Sequence, residues 1–109
     1  MDKEAAMPEL IFKQAKLDDL KDAGDNLADL ISMVEHSKVV SINMKNVDLL
    51  TPAYADQLFG NAAIEFARKG AKMNFSFKNK EIGGVMSAIL KESISKSLPT
   101  SFGGTATVH

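Results

Sequence analysis

The length and composition of the chain are those of an ordinary globular domain. Its 109 residues fit one domain, and 45% hydrophobic with 25% charged residues excludes the disordered and fibrous classes. The formal net charge is −1 and the lysines are scattered, so the sequence lacks the basic cluster typical of nucleic-acid binding. The absence of cysteine excludes disulfides, thiolate metal sites and a cysteine nucleophile.

The sequence also carries no targeting or membrane signal that we can identify. The first residues, MDKE, are charged, and no apolar core of a signal peptide follows them. Uninterrupted apolar stretches are only a few residues long, far below the length of a membrane span. We therefore expect one soluble, cytoplasmic domain that spans residues 1–109.

The first predicted elements are a strand and an amphipathic helix. Residues 9–15, ELIFKQA, form a short apolar run that predicts the strand. From Asp18 onward the spacing becomes helical, with Asp22 or Asp25 as the expected N-cap. The apolar residues at i, i+3, i+4 and i+7 predict one buried face, made of Leu27, Leu30, Ile31 and Val34.

Two later strands flank a second helix and predict a βαβ unit. Residues 38–44 (KVVSINM) and 72–77 (KMNFSF) both alternate apolar with polar residues. Strands with one polar face favour a sheet that helices cover mainly on one side. The helix between them, residues 52–69, carries a buried stripe, and its crossover is expected to be right-handed. The stripe consists of Leu58, Phe59, Ala62 and Phe66.

A third helix and a loop-like tail complete the predicted fold. The helix begins near Lys80 and has the clearest apolar spacing in the chain. Residues 97–109 are expected to be a loop or a late strand, with residues 105–108 as the strand. The predicted fold class is α/β, with a small mixed sheet of about four strands. The apolar residues of the third helix are Ile82, Val85, Met86, Ile89 and Leu90.

The segment between the first βαβ strand and its helix, residues 47–60 (VDLLTPAYADQLFG), is the strongest candidate for a site. Thr51 is a favoured N-cap residue and Pro52 suits the first helical position, so a structural role alone explains this pair. However, a loop after a parallel strand lies at the carboxyl edge of the sheet, where open α/β sheets place their sites. A phosphate is also favoured at a helix N-terminus, which makes Thr51 a candidate phosphorylation site.

Residues 39–90 resemble a STAS domain, the fold of anti-sigma factor antagonists, and look closer still to the STAS-like family of uncharacterised bacterial proteins. The resemblance rests on the strand KVVSINM, the turn NVDLLTPAYADQLFG, the segment RKGAKMNFSF and the apolar helix after it. It implies a small regulatory binding domain without catalytic residues. In the antagonists, phosphorylation of a serine at the helix start breaks contact with a kinase-like anti-sigma partner. Here Thr51 and Pro52 stand in that place, and the turn has no serine.

Together these observations predict a non-enzymatic protein–protein interaction module whose partner is a kinase-like ATPase or an anti-sigma factor. Its surface is expected on exposed positions opposite the buried stripe of the second helix. A homodimer, formed through an uncovered polar sheet face or an edge strand, is left open. The predicted partner-binding residues are Thr51, Pro52, Tyr54, Asp56, Gln57, Gly60 and Asn61.

The alternative is a small-ligand or anion-binding domain that uses the same sheet edge. Glycines inside a helix are costly, so Gly83 and Gly84 suggest either helix-on-sheet packing or the approach of a partner or an anion. An enzyme is the least favoured function, because no nucleophile–base pair or paired carboxylates stand at an interpretable spacing. No cofactor or metal site is expected, and His36 and His109 are interpreted as surface residues.

Overall fold

The computed structural model describes residues 8–97, which form an α/β fold and thereby confirm the predicted class. A π-helical turn, Asp56–Gly60, joins two of the helices into one continuous segment over residues 52–69. The strands are β1 (Glu9–Ile11), β2 (Lys16–Leu17), β3 (Val39–Met44), β4 (Leu49–Leu50) and β5 (Lys72–Phe77), and the helices are α1 (Leu20–Val34), α2 (Pro52–Ala55), α3 (Asn61–Lys69) and α4 (Lys80–Ser97).

The strands form two parallel sheets rather than the predicted mixed sheet of about four strands. The main sheet has the order β1-β3-β5, and β2 pairs with β4 in a separate two-stranded sheet. Every strand pairing within residues 8–97 is parallel. The reason lies in the connections, because a helical crossover joins each main strand to the next and returns the chain in the same direction.

The helices cover one face of the main sheet, as predicted. The crossover from β1 to β3 contains α1, and the crossover from β3 to β5 contains the segment 52–69. Both move in the same direction across the sheet. Because such crossovers have the same handedness, they place their helices on the same face of the sheet. The burial of β3 follows this arrangement: Val40, Ile42 and Met44 are buried, whereas the alternate residues are only partly covered. The opposite face therefore exposes polar side chains such as Ser41 and Asn74, which are neighbours across the strands.

The helices are arranged in the same order as the strands beneath them. The segment 52–69 packs against α1 on one side and α4 on the other, and its π-helical turn contacts all the other helices. An aromatic cluster fills the core between this segment and the sheet. Phe59 packs edge-on against Phe75 and Phe12, with ring centroids 5.3 and 6.2 Å apart, and Phe12 packs in the same way against Tyr54 at 6.5 Å.

The element boundaries correct two of the predictions at the start of the chain. Strand β1 ends at Ile11 instead of extending to residue 15, although the Phe12 N–H still donates to the Asn43 carbonyl at 3.1 Å. The N-cap of α1 is Asp19, whose carboxylate accepts from the Lys21 N–H at 2.9 Å, and neither Asp22 nor Asp25 has that role. Asp22 instead lies inside the first turn, where it bonds to other elements.

Other predicted boundaries are confirmed. Helix α3 ends at Gly70, which adopts the left-handed backbone (φ 66°) that favours glycine after a helix. The four residues of the predicted stripe in segment 52–69 are buried. In α4 the apolar positions are buried or partly buried except for Val85, which is 65% exposed. The predicted strand at residues 105–108 lies outside the described residues.

Candidate functional site

The turn into α2 has the predicted capping geometry. The Thr51 hydroxyl accepts from the Tyr54 N–H at 3.2 Å, and Pro52 occupies the first helical position. The same hydroxyl donates to the Leu17 carbonyl at 3.3 Å, and the Thr51 N–H donates to that carbonyl at 3.1 Å. Thr51 therefore caps the helix and ties β4 to β2. Phosphorylation there would remove the hydroxyl proton that the Leu17 carbonyl accepts.

Tyr54 is not on the exposed surface where it was predicted. The residue is fully buried, because its ring packs against Phe12 and its hydroxyl has a partner inside the fold. This hydroxyl donates to Asp22 Oδ2 at 2.6 Å and accepts from Asn26 Nδ2 at 3.1 Å. Gln14 Nε2 donates to the same carboxylate oxygen at 2.7 Å. The network joins α2, α1 and the loop after β1.

The ionisation of Tyr54 is strongly opposed by this environment. Burial of the phenol is the largest cause, and its hydrogen bond to Asp22 adds to it; together they raise the pKa of Tyr54 above its usual value. The hydrogen bond from Asn26 lowers the pKa of Tyr54, but burial and Asp22 together raise it by more. Tyr54 is thus a neutral hydrogen-bond donor at physiological pH, and this bond joins α2 to α1.

Gly60 also belongs to an internal contact and not to an exposed surface. A Cβ at this position would lie 2.5 Å from Ser97 Oγ and 3.3 Å from the Ser93 carbonyl oxygen. The residue is buried where the π-helical turn packs against α4. Only glycine permits this close approach without rearrangement, so the structure assigns Gly60 to helix packing.

Asp56 binds α4 near the same contact. Its Oδ2 accepts from Lys96 Nζ at 3.0 Å. The buried Ser93 hydroxyl, followed by Lys96, lowers the pKa of Asp56 below its usual value. Asp56 Oδ1 is buried and has no hydrogen-bond partner within residues 8–97, so Ser93 acts on this carboxylate by proximity rather than through a well-formed hydrogen bond. Ser93 and Lys96 were not predicted by the sequence reasoning, since they lie 37 and 40 residues from Asp56 in the chain.

The remaining predicted partner residues stay accessible. Pro52, Gln57 and Asn61 are exposed, while Thr51 and Asp56 are partly exposed. Asn61 Nδ2 donates to the Gln57 carbonyl at 2.7 Å, which is a local contact along the helix. The predicted surface is therefore reduced to a strip along segment 52–69. This strip consists of Thr51, Pro52, Asp56, Gln57 and Asn61.

An apolar groove that the sequence did not predict lies beside this strip. It has a volume of about 270 Å³ and runs between β4 and α4. Two of its residues are unusually exposed for aliphatic side chains, Leu49 at 45% and Val85 at 65%. Asp48 and Glu81 lie at its rim, and Lys78 pairs with Asp48. The groove is lined further by Leu50, Ile82, Met86 and Ile89.

One signal for this groove was present in the sequence. The apolar positions of α4 span a wide arc, and at about 100° per residue Val85 lies at one end of it, roughly 100° from Met86 and 140° from Leu90. The position of β4 gave no such signal, because two apolar residues before a Thr-Pro turn do not show which of them is buried. In the structure Leu50 is buried and Leu49 is exposed.

The two glycines of α4 differ in their surroundings. A Cβ on Gly83 would lie 3.2 to 3.4 Å from the Phe77 side chain, which supports the packing role among the predicted alternatives. A Cβ on Gly84 would have no neighbour within 4 Å. Asn79 caps α4, since its Oδ1 accepts from the Ile82 N–H and its carbonyl from the Gly83 N–H, both at 2.9 Å. Two of the donors that an anion would need are thus engaged.

The described part of the chain carries neither a cluster of metal-ligating side chains nor a membrane-spanning helix. Residues 8–97 contain no group of three or more potential metal-ligating side chains. His36 is exposed near the end of α1, which confirms its interpretation as a surface residue, and His109 lies outside the described range. Between residues 8 and 97, no helix is both long and apolar enough to cross a bilayer.

Family membership does not follow from this geometry alone. The α/β class is common to many unrelated proteins, and a fold of this class does not by itself imply a function. The parallel sheets within residues 8–97 also differ from the predicted mixed sheet of about four strands. Because no family model, curated protein or solved structure matches this chain, its place in the STAS-like family stays a prediction.

Proposed function

We propose that this protein is a non-enzymatic regulatory module that binds a protein partner, as the anti-sigma factor antagonists that it resembles do. The observation that carries the proposal is the apolar groove between β4 and α4, with Leu49 and Val85 exposed at its mouth. Exposed apolar surface rimmed by polar residues is typical of sites where other proteins bind. The predicted turn then forms one border of the partner surface, and the groove forms its centre.

The composition of this surface suits protein binding better than catalysis. Aliphatic side chains in the middle and polar residues around them match the core-and-rim pattern of interfaces. Pro52 and Gln57 extend the surface along the neighbouring helical segment, which packs directly against α4. Because α4 and β4 are held by the core through Met86 and Leu50, the groove is presented on a rigid support.

The resemblance suggests what kind of partner this surface binds and how binding is regulated. Its expected partner is a kinase-like ATPase or an anti-sigma factor. A phosphate on Thr51 would place close to two negative charges next to Leu50, a lining residue of the groove. It would also displace the hydroxyl from the Leu17 carbonyl, loosening the pairing of β4 with β2. Both effects weaken an apolar interface, so phosphorylation is expected to release the partner.

The proposal is tested by placing a charge in the groove and measuring partner capture. Val85→Asp introduces a carboxylate at an exposed groove position, and Ile11→Asp introduces the same charge at a residue of similar exposure on β1. We expect proteins captured from a bacterial lysate by the wild type and by Ile11→Asp to be lost specifically with Val85→Asp. Thermal unfolding of the three proteins verifies that all are folded. Equal capture by the two variants would show that the groove is not the partner surface.

The alternative function, a small-ligand or anion-binding domain, is supported by a hollow at the start of α4. Lys80 and the open space beside Gly84 contribute to it. Capping by Asn79 reduces the free donors there, which is why we place this function second. A screen of nucleotides and phosphates for shifts in melting temperature tests it, with Gly84→Val as the variant that fills the open space. A shift that Gly84→Val abolishes would favour this alternative.

A further inference from the structure

Helix α4 presents four exposed residues in a line along the side that borders the apolar groove. This line, here called the α4 stripe, consists of Glu81, Val85, Ala88 and Glu92, which recur at the spacing of successive helical turns. Val85 is 65% exposed in the stripe, and it lines the groove together with Glu81. A glutamate therefore stands at each end of a short apolar segment, with about 17 Å of helix between the two.

The lysines next to these glutamates belong to a different side of α4. At about 100° per residue, Lys80 and Lys91 lie more than a quarter-turn around the helix from the glutamates that follow them. Lys80 lines a separate hollow together with Gly83 and Ser87, whereas the groove is lined by other residues of α4. The positive charges of these two lysines are thus directed away from the groove.

Two ion pairs neutralise other charges near the groove. Lys78 pairs with Asp48 at the rim, and Lys96 pairs with Asp56 at 3.0 Å beyond the end of the α4 stripe. Neither glutamate of the stripe has an ion-pair partner among residues 8–97. The groove side of α4 therefore carries an unbalanced negative charge at both ends of its apolar segment.

The shape and lining of the groove suit a helix. The lining side chains are apolar except for Asp48 and Glu81, and they follow α4 for about two turns, from Ile82 to Ile89. A strand added to a sheet edge is held mainly by backbone hydrogen bonds, whereas a helix in a groove is held by apolar side chains one turn apart. A partner helix with apolar residues at i, i+3 or i+4, and i+7 therefore matches the length of the groove.

We infer that the occupant of the groove is an amphipathic helix of a partner protein, with an arginine or a lysine at each end of its apolar stripe. This inference rests on the proposed function, since it names the chemistry of the partner that the groove binds. The apolar residues of the helix cover Val85 and Leu49, which are exposed at the mouth of the groove. Its basic residues, about three turns apart, lie against Glu81 and Glu92. Such charge pairs at a rim favour the correct partner and orientation.

A library of helical peptides displayed on phage tests the inference with purified protein. The library varies the apolar positions and the positions that flank them, and binders are selected on the wild type after depletion on Val85→Asp. We expect the retained peptides to carry Lys or Arg about three turns apart and to gain helical circular dichroism on binding. Glu81→Lys combined with Glu92→Lys should weaken these peptides about tenfold, because each exposed charge pair changes from attraction to repulsion.

A matched charge variant is the control. Glu9→Lys combined with Glu35→Lys makes the same change in net charge at exposed residues outside the groove lining, and it should leave peptide binding unchanged. If the lysine variant of the α4 stripe does not fold, Glu81→Gln combined with Glu92→Gln removes the charges without reversing them. That variant should weaken the peptides by a smaller factor.

Three results would overturn the inference. The first is a set of groove-dependent peptides without flanking basic residues, or with equal losses in both lysine variants; the proposed function would then still stand. The second is a selection that yields no groove-dependent helix. The third is a dimer of the purified chain in sedimentation that Val85→Asp abolishes, because a second copy would then occupy the groove. The lysate comparison of Val85→Asp with Ile11→Asp judges the proposed function separately.

Discussion

The hydroxyl of Tyr54 provides the sharpest test of how the candidate site is held. Tyr54→Phe keeps the ring in contact with Phe12 and removes both hydrogen bonds of the hydroxyl, the one donated to Asp22 at 2.6 Å and the one accepted from Asn26 at 3.1 Å. A hydrogen bond to a charged group contributes about 1.5 to 3 kcal/mol. Asp22 is only partly buried and keeps its bonds from Gln14 and Asn26, so the lower end applies. We expect a loss of about 1.5 kcal/mol and a melting temperature about 6 °C lower.

The assay combines urea unfolding with an alkaline titration. Tyr54 is the only tyrosine and the chain has no tryptophan, so the ultraviolet absorbance of the phenolate reports this residue alone. Its folded-state pKa is raised by burial and by Asp22, so its contribution to stability is complete below the unfolded pKa, near 10. The contribution decreases as the pH rises above that value, because only the unfolded chain then releases the proton. Tyr54→Phe should lose less stability than the wild type over that range.

The reasoning is refuted by either of two results. A Tyr54→Phe loss below about 0.5 kcal/mol would mean that the hydrogen bond to Asp22 contributes no more than an average surface substitution. Reversible titration of Tyr54 near pH 10 in the folded protein would show that the phenol is not buried as the structure describes. Asp22→Asn, alone and combined with Tyr54→Phe, completes a double-mutant cycle that isolates the pairwise energy.

Three further pairs of substitutions test the roles assigned to the turn and to the helix contacts, and each pair is measured by urea unfolding. Thr51→Ala should cost about 1 kcal/mol through the lost N-cap, whereas Thr51→Ser keeps the hydroxyl and should cost much less; equal losses would argue against capping. Gly60→Ala should gain less stability than Gly84→Ala, or lose stability, because its Cβ meets Ser97 Oγ and the Ser93 carbonyl oxygen, and Ser97→Gly should improve the stability of this variant. Gly84→Ala should stabilise by about 0.5 to 1 kcal/mol, while Gly83→Ala, which meets Phe77, should gain less or lose stability; a reversed order would contradict the packing described.

In the candidate site, local contacts were predictable from the sequence and contacts between distant residues were not. The cap at Thr51 and Pro52 was predictable, because capping depends on residues that are neighbours in the chain. The exposure of Tyr54 and Gly60 was predicted wrongly, since their burial depends on partners 32 and 37 residues away, Asp22 and Ser97. The spacing of residues within one helix does not show which other elements pack against that helix.

By itself, the sequence determined the alternation of strands and helices, the buried stripe of segment 52–69 and the cover of the sheet on one face. These features follow from periodicities of 2 and 3.6 residues, which are local properties of the chain. The βαβ order also predicted the parallel pairing of β3 with β5. The tertiary structure decided the separate β2-β4 sheet, the buried network around Tyr54 and the apolar groove between β4 and α4. Those features arise only where distant segments meet, because an exposed or a buried position is defined by what lies against it and not by the residue that occupies it.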